Sequence, residues 1–560
     1  MGRVPRKIVV LAAAAAVVLA GCGGSNSGSA PPPKVALGQN DINPVDVAKL
    51  KDGGELKWPV QDYPATFNEL HVDGVSGDLP PVTRAILPTP VLEKADGTFE
   101  ADKDYLESLE LKSPDPQIVV YKLNRKAHWS DGTPITWEDY RSQWQAANGK
   151  NAAFLLNSSA GYSSVADIVK GADEYEFTAT FTPKYAEWFR NFQVLYPKSM
   201  TASPEEFNSG WRDAPKLTGG PFRIGKLDAT AKTVTVVRDD TWWGDKPKLD
   251  RIVFRNLSTT GGTASMDALA NGELDFSGIA GNLDAYKKAQ TIPGIVFRKA
   301  TLPNIRWVLF NGAGDSPVKD PELRKALIRG IDVANITKAE VSQLIPDAQP
   351  LGNHVFLAGF PGYQDNSAGS TYDPEAAKKK LDELGWKLDG QFRKKDGKQL
   401  TVRDVVPAGN RASEEEAKLV QNQLAAIGVE VKIDTVDNDG FFDKHIVPGD
   451  FDLTHFANMD VSNLVNVQGS YALGAGGESN FGKIGSDQVN KLIAQAAQEL
   501  DDTKRLELLN QVDKAVWDLG HSLPLYRRPS IVAVNEKLGN FGNTGLASFD
   551  YTKIGWIAGT

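Results

Sequence analysis

A serine three residues before a lysine, Ser316-Pro317-Val318-Lys319, has the spacing at which an amine can take the proton of a hydroxyl nucleophile. Two features argue against that chemistry here. Pro317 would stand inside the helix such a pair needs, and the companion Ser-Asp-Asn and Lys-Thr-Gly motifs are absent from the chain. The histidines, His71, His128, His354, His445, His455 and His521, form neither a His-Glu-x-x-His run nor an i, i+4 pair, so the sequence offers no preformed zinc site. Asp239-Asp240 and Asp501-Asp502 are adjacent in sequence, which is the pattern of solvated turns and helix caps rather than of a proton-transfer pair. Gly-x-Ser-x-Gly, Gly-x-Gly-x-x-Gly and P-loop motifs are also missing. The expectation is a protein that is not an enzyme, with no catalytic residue, no metal site and no cofactor.

The one thiol is Cys22, so no disulfide can form and the fold must stand on its core. Its surroundings give the thiol a use. Arg3, Arg6 and Lys7 precede the uncharged apolar run Ile8 to Ala20, which is too short to span a bilayer comfortably and has the layout of a secretory signal. Leu19-Ala20-Gly21-Cys22 resembles the lipobox of bacterial lipoproteins, which implies cleavage after residue 21 and a lipid on Cys22. Gly23 to Pro33 has no core-forming residue and reads as part of a flexible tether, residues 22–50. The formal charge is −9, and removal of a basic leader makes the body more acidic still. That balance argues against nucleic acid as a partner and against broad contact with anionic lipid.

More than 500 residues after the leader call for at least two lobes, and strand and helix patterns alternate along them. Gly54 to Val60, Gln117 to Leu123, Tyr175 to Phe181, Lys232 to Arg238 and Arg251 to Leu257 read as strands. At 399–436 the spacing predicts strand, helix, strand in a βαβ unit. Ser413 and Glu416 are expected to form a capping box, Ala417, Val420, Leu424 and Ile427 to share a helix face, and Gly428 to end the helix. Asp373 and Pro374 predict the start of another helix, and two amphipathic helices are expected near 487–500 and 502–519. The chain is rich in tryptophan, and composition alone does not divide those side chains between core and binding cleft.

Four segments, in order, carry a family resemblance. They are Trp129-Ser130-Asp131-Gly132-Thr133-Pro134-Ile135-Thr136-Trp137-Glu138-Asp139; Gly219-Gly220-Pro221-Phe222 with Val236 to Gly244; Leu309-Phe310-Asn311 with Leu323 to Leu327 and Ile331-Asp332; and Asn480-Phe481 with Leu523-Pro524-Leu525-Tyr526. Together they resemble the family 5 solute-binding proteins that serve bacterial peptide importers. The resemblance implies an α/β, two-lobe, periplasmic-binding-protein-like fold that closes about a hinge. Lobe I would comprise 51–85, 201–305 and 523–560, with an inserted subdomain at 86–200, and lobe II would comprise 306–522.

The resemblance also implies a site. Peptide-binding members hold the ligand α-ammonium with an aspartate in lobe II, and Asp460 in Phe451-Asp452 … Asn458-Met459-Asp460 is the matching acid. The family's tryptophan before that acid is missing, with Asn458 and Met459 near its place. Trp307, Asn311 and Tyr526 fall in segments that border the cleft, with core and hinge positions as the other reading. The function expected is capture of oligopeptides by a monomeric lipoprotein on the outer face of the cell membrane, for delivery to an ABC permease and its ATPase. The alternative is an envelope lipoprotein of the same fold that supports or senses glycolipid synthesis. A nickel-chelate receptor is disfavoured by the scattered histidines.

Overall fold

The computed structural model describes residues 39–257, 261–279 and 281–559. The predicted leader, Cys22 and residues 22–38 of the expected tether lie outside them. Among the described residues no helix is long and apolar enough to cross a membrane.

Three distant stretches of chain build one lobe. Strand Glu55–Val60 runs parallel to Arg251–Asn256, which continues antiparallel through Thr233–Arg238 to Phe222–Asp228. A second sheet sets Ser530–Asn535 antiparallel between Phe276–Gly278 and Ile295–Ala300. Trp58 joins these segments: its ring lies 5.6 Å from Phe254, 5.0 Å from Phe276, 5.4 Å from Phe541 and 5.0 Å from Phe549. One tryptophan thereby packs chain from the start, middle and end of the sequence.

Within the stretch expected as an inserted subdomain, strands Leu106–Pro114, Gln117–Leu123, Glu176–Phe181 and Val165–Lys170 form a four-stranded antiparallel sheet, with helix Trp137–Ala147 packed on it. The Trp129–Asp139 signature is scaffold. Gly132 takes φ 85° in the turn, Asp139 accepts the Thr136 backbone N–H at 3.0 Å, and Trp129 is buried. In the second signature, a Cβ on Gly220 would come within 2.7 Å of the Ile86 backbone, so only glycine permits that approach.

The second lobe is a mixed five-stranded sheet in the order Glu430–Val436, Thr401–Pro407, Leu453–Asn458, Ile305–Phe310, Ser522–Arg527. Thr401–Pro407 is parallel to Glu430–Val436, as the βαβ reading requires, with helix Arg411–Ala425 between them. Helices Pro374–Glu383, Asp487–Gln498 and Asp502–Asp518 also match the sequence reading, and Asp373 accepts the Ala376 N–H at 2.9 Å. The capping box does not form as expected. Asn410 is the cap, accepting the Ser413 N–H at 3.2 Å, and helix residues Ser413 and Glu416 turn inward.

Two chain crossings connect the lobes side by side. One leads from Ile295–Ala300 to Ile305–Phe310, the other from Ser522–Arg527 to Ser530–Asn535. Because Ser522–Arg527 pairs with Ile305–Phe310 in the second lobe's sheet, the return crossing falls at Arg528-Pro529 instead of the expected 522–523. The Arg528 N–H donates to the Asn304 carbonyl at 2.8 Å and ties the two crossings together.

Candidate functional site

A cleft of ≈ 1030 Å³ opens beside these crossings. One wall comes from the first lobe, at the start of helices Thr263–Ala270 and Leu283–Ala289. The opposite wall comes from the second lobe: helix Val333–Val341, the loop Pro407 to Ala412 that enters helix Arg411–Ala425, and the ends of strands Leu453–Asn458 and Ser522–Arg527. Phe441, Phe442 and Phe456 give it an apolar surface. Phe442 is 43 % exposed, on a single π-helical stretch, Phe441–Ile446, and its ring packs 5.4 Å from Phe456 and 5.9 Å from Phe481. A large, partly exposed aromatic in a cleft is a platform for apolar ligand surface.

Beneath the second lobe's wall runs a buried charge network. Arg306 donates Nε–H to Glu416 Oε1 at 2.9 Å and Nη2–H to Glu416 Oε2 at 2.7 Å, with a further bond to Ser413 Oγ at 2.9 Å. The Tyr526 hydroxyl donates to the same carboxylate. His455 stands between two acids, 3.0 Å from Asp404 Oδ2 and 3.5 Å from Glu416 Oε2, and none of these three side chains is exposed. Burial by itself would lower the His455 pKa, but the carboxylates of Asp404 and Glu416 outweigh it and raise the value to about 9. Burial likewise opposes ionisation of Glu416, yet Arg306 and His455 bring it down to about 2. Two cations and two anions therefore balance, which is the condition for keeping such groups in a core.

Glu340, on the cleft wall, lies 3.8 Å from Arg411 Nη2 with its own side chain 7 % exposed. Burial, reinforced by the charge on Glu416, pushes its pKa up to about 7.

The expected site residues separate. Tyr526 lines the cleft, 3 % exposed, with its hydroxyl committed to Glu416. Trp307 is core: its ring packs 5.6 Å from Phe456, 6.4 Å from Tyr471 and 6.1 Å from His521. Asn311 donates to the carbonyls of Gly449 and Phe451, both at 2.8 Å, and so holds a loop. Neither borders the cleft.

Asp460 follows strand Leu453–Asn458 with φ 49°, its N–H donating to Asn304 Oδ1 at 3.0 Å and its Oδ2 accepting from Asn463 at 3.3 Å. It is half-buried, and its neighbour Met459 borders the cleft. Its charge acts on Arg190, Glu93 and Glu187 of the inserted sheet region. Arg190 lies 3.3 Å from Glu187 and 4.0 Å from Glu93. Burial raises the Glu93 pKa to about 7. Arg84 also acts on Glu93 and Arg505 on Glu187, so Asp460 stands beside a mixed cluster of acids and arginines.

Sequence reasoning missed Arg306, Glu416, His455, Asp404, Glu340 and Arg528. A signal existed for one of them. Glu416 precedes Ala417, Val420 and Leu424 at spacings that put it on the apolar face, where a carboxylate needs a buried partner. Among the described residues no group of three or more His, Cys, Asp or Glu is arranged to hold a metal ion.

Comparison with known proteins places this geometry in context. The profile of the bacterial extracellular solute-binding proteins, family 5 Middle, matches residues 102–478. The oligopeptide-binding protein OppA of Mycobacterium tuberculosis is 42% identical over 522 residues, 92% of this chain and 87% of that one. The probable monoacyl phosphatidylinositol tetramannoside-binding protein LpqW of the same species is 24% identical over 366 residues, 60% of this chain and 56% of that one. Among solved structures, a periplasmic EDTA-binding protein, EppA, superposes with TM-score 0.83 at 26% identity, covering 92% of this chain and 98% of that one.

Proposed function

The chain belongs to the bacterial extracellular solute-binding proteins of family 5, and from that premise we propose that it captures oligopeptides between its two lobes and hands them to the permease of an ABC importer. The observation that carries the reading is the cleft itself. Its ≈ 1030 Å³ lies just above the roughly 300–1,000 Å³ typical of small-ligand sites, with room for several residues. It pairs an aromatic platform with charged side chains, and its opposing walls belong to lobes joined by two adjacent strand crossings, the layout of a hinge. The glycolipid alternative is matched by LpqW, a more distant relative over a smaller share of the chain.

A ligand that binds only the folded, closed form stabilises it by mass action, by about 2.7 kcal/mol at one hundred times the dissociation constant. A mixed oligopeptide pool is therefore expected to raise the melting temperature, and small-angle scattering to show a more compact particle. No shift with any peptide pool, beside a clear shift with phosphatidylinositol mannoside, would replace the peptide reading with the glycolipid one.

A lipid anchor would keep the receptor close to a permease, and the lipobox-like Leu19-Ala20-Gly21-Cys22 supports a lipid on Cys22 at the outer face. Cys22→Ala is expected to abolish the incorporation of labelled fatty acid that wild type shows. Wild type that incorporates no labelled fatty acid, or incorporates as much as Cys22→Ala, contradicts lipid attachment.

A further inference from the structure

Each of the other cleft-lining cations has an acidic partner. Arg306 is neutralised by Glu416, and Arg411 faces Glu340 at 3.8 Å. Arg528 differs. Among the described residues its guanidinium makes one polar contact, Nη1 to the Met459 thioether at 3.7 Å, and no carboxylate lies within ion-pair reach. Burial lowers the Arg528 pKa, and the like charge on Arg306 adds to the effect.

The fold also fixes where this arginine stands. Its backbone N–H is held by the Asn304 carbonyl at 2.8 Å and the buried Pro529 follows, so the side chain leaves from the crossing between lobes. The facing wall adds positive potential: helix Thr263–Ala270 begins at Gly262, a cap with no side chain to satisfy the first N–H groups. Asp284 on that wall is exposed and makes no ion pair with Arg528.

A half-buried guanidinium with no counter-charge is costly to the empty protein and stays protonated. We propose that Arg528 is a carboxylate-recognition residue of the cleft, and that the bound ligand presents an anionic group to its planar fork. This rests on the peptide reading for the ligand class, in which the carboxylate belongs either to the peptide C-terminus or to an acidic side chain.

Calorimetry on the full-length purified protein separates these. The probes are a mixed oligopeptide pool with free C-termini, the same pool amidated, and an amidated pool lacking Asp and Glu. Arg528→Gln is expected to weaken binding of the free pool by about thirty-fold or more, and Arg528→Lys by less. The melting temperature of ligand-free Arg528→Gln is expected to equal or exceed that of wild type, because the variant removes an unpartnered charge. If amidation of the pool reproduces the loss in wild type and adds nothing in Arg528→Gln, the carboxylate is terminal. If only the pool without Asp and Glu does so, it is a side chain. Wild type that binds all three pools alike overturns the assignment, whether or not the variants fold, and so does a Gln variant that binds the free pool as tightly as wild type. If wild type binds no peptide pool, the peptide reading fails instead. Fe(III)-EDTA then serves as a polycarboxylate probe: loss of its binding in Arg528→Gln upholds the arginine's role, and binding unchanged by the substitution, or absent in wild type, ends it.

Discussion

Replacing Glu416 with leucine is expected to destabilise the protein by about 3–5 kcal/mol, the cost typical of removing one partner from a buried ion pair. That is a large share of the roughly 5–15 kcal/mol that holds a typical domain together. The substitution strips Arg306 of its bidentate acceptor, leaves the Tyr526 hydroxyl without its acceptor and takes one of the two carboxylates beside His455. Adding Arg306→Met should recover much of the loss, since the pair's net worth over apolar packing is small.

The pH dependence has a definite sign. His455 is raised from 6.5 to about 9 in the folded state, so its contribution is complete below 6.5 and is lost as pH climbs through about 9. Glu416 is depressed from 4.5 to about 2, so its contribution is present above 4.5 and is lost as pH falls toward about 2. Denaturant unfolding across pH should therefore show that the wild-type advantage over Glu416→Leu is greatest between these limits and narrows on both sides. A loss under about 1 kcal/mol at neutral pH would mean that water or relaxation satisfies the network.

Asp460→Ala is expected to weaken binding of peptides with a free N-terminus by roughly 2–5 kcal/mol, or about thirty-fold to several thousand-fold. The variant leaves the ligand ammonium without its partner, because Glu93 and Glu187 are already engaged with Arg190. Asp460→Asn should cost less, because it keeps an acceptor. N-acetylated peptides should bind wild type poorly and barely distinguish it from the variant. Equal binding of free peptides by Asp460→Ala and wild type would place the ammonium elsewhere, and the missing tryptophan before Asp460 would then mark a real departure from the family's site.

Much of the fold was legible because it follows local periodicity. The strand, helix, strand order within 399–436, the helix face of Ala417, Val420 and Leu424, and the Asp373-Pro374 start all reappear in the structure. The site was less so, for reasons that differ by residue. Trp307 and Asn311 stand in a cleft-bordering stretch of sequence, but every residue of strand Ile305–Phe310 is buried, so position along the chain says little about exposure. Ser413 and Glu416 have capping-box spacing, yet Asn410, with an equally good capping side chain, starts the helix earlier and frees both for Arg306. Arg528 carried no sequence signal. Its importance lies in what is not near it, and missing counter-charges appear only once distant segments are assembled.

The claim that this receptor holds peptides is tested most directly by native mass spectrometry of the protein purified without added ligand, followed by release and sequencing of whatever is bound. The expected result is a set of adducts that yield linear peptides carrying free amino and carboxylate groups. Release of a glycolipid or of a metal chelate, with no peptide among the products, would contradict it.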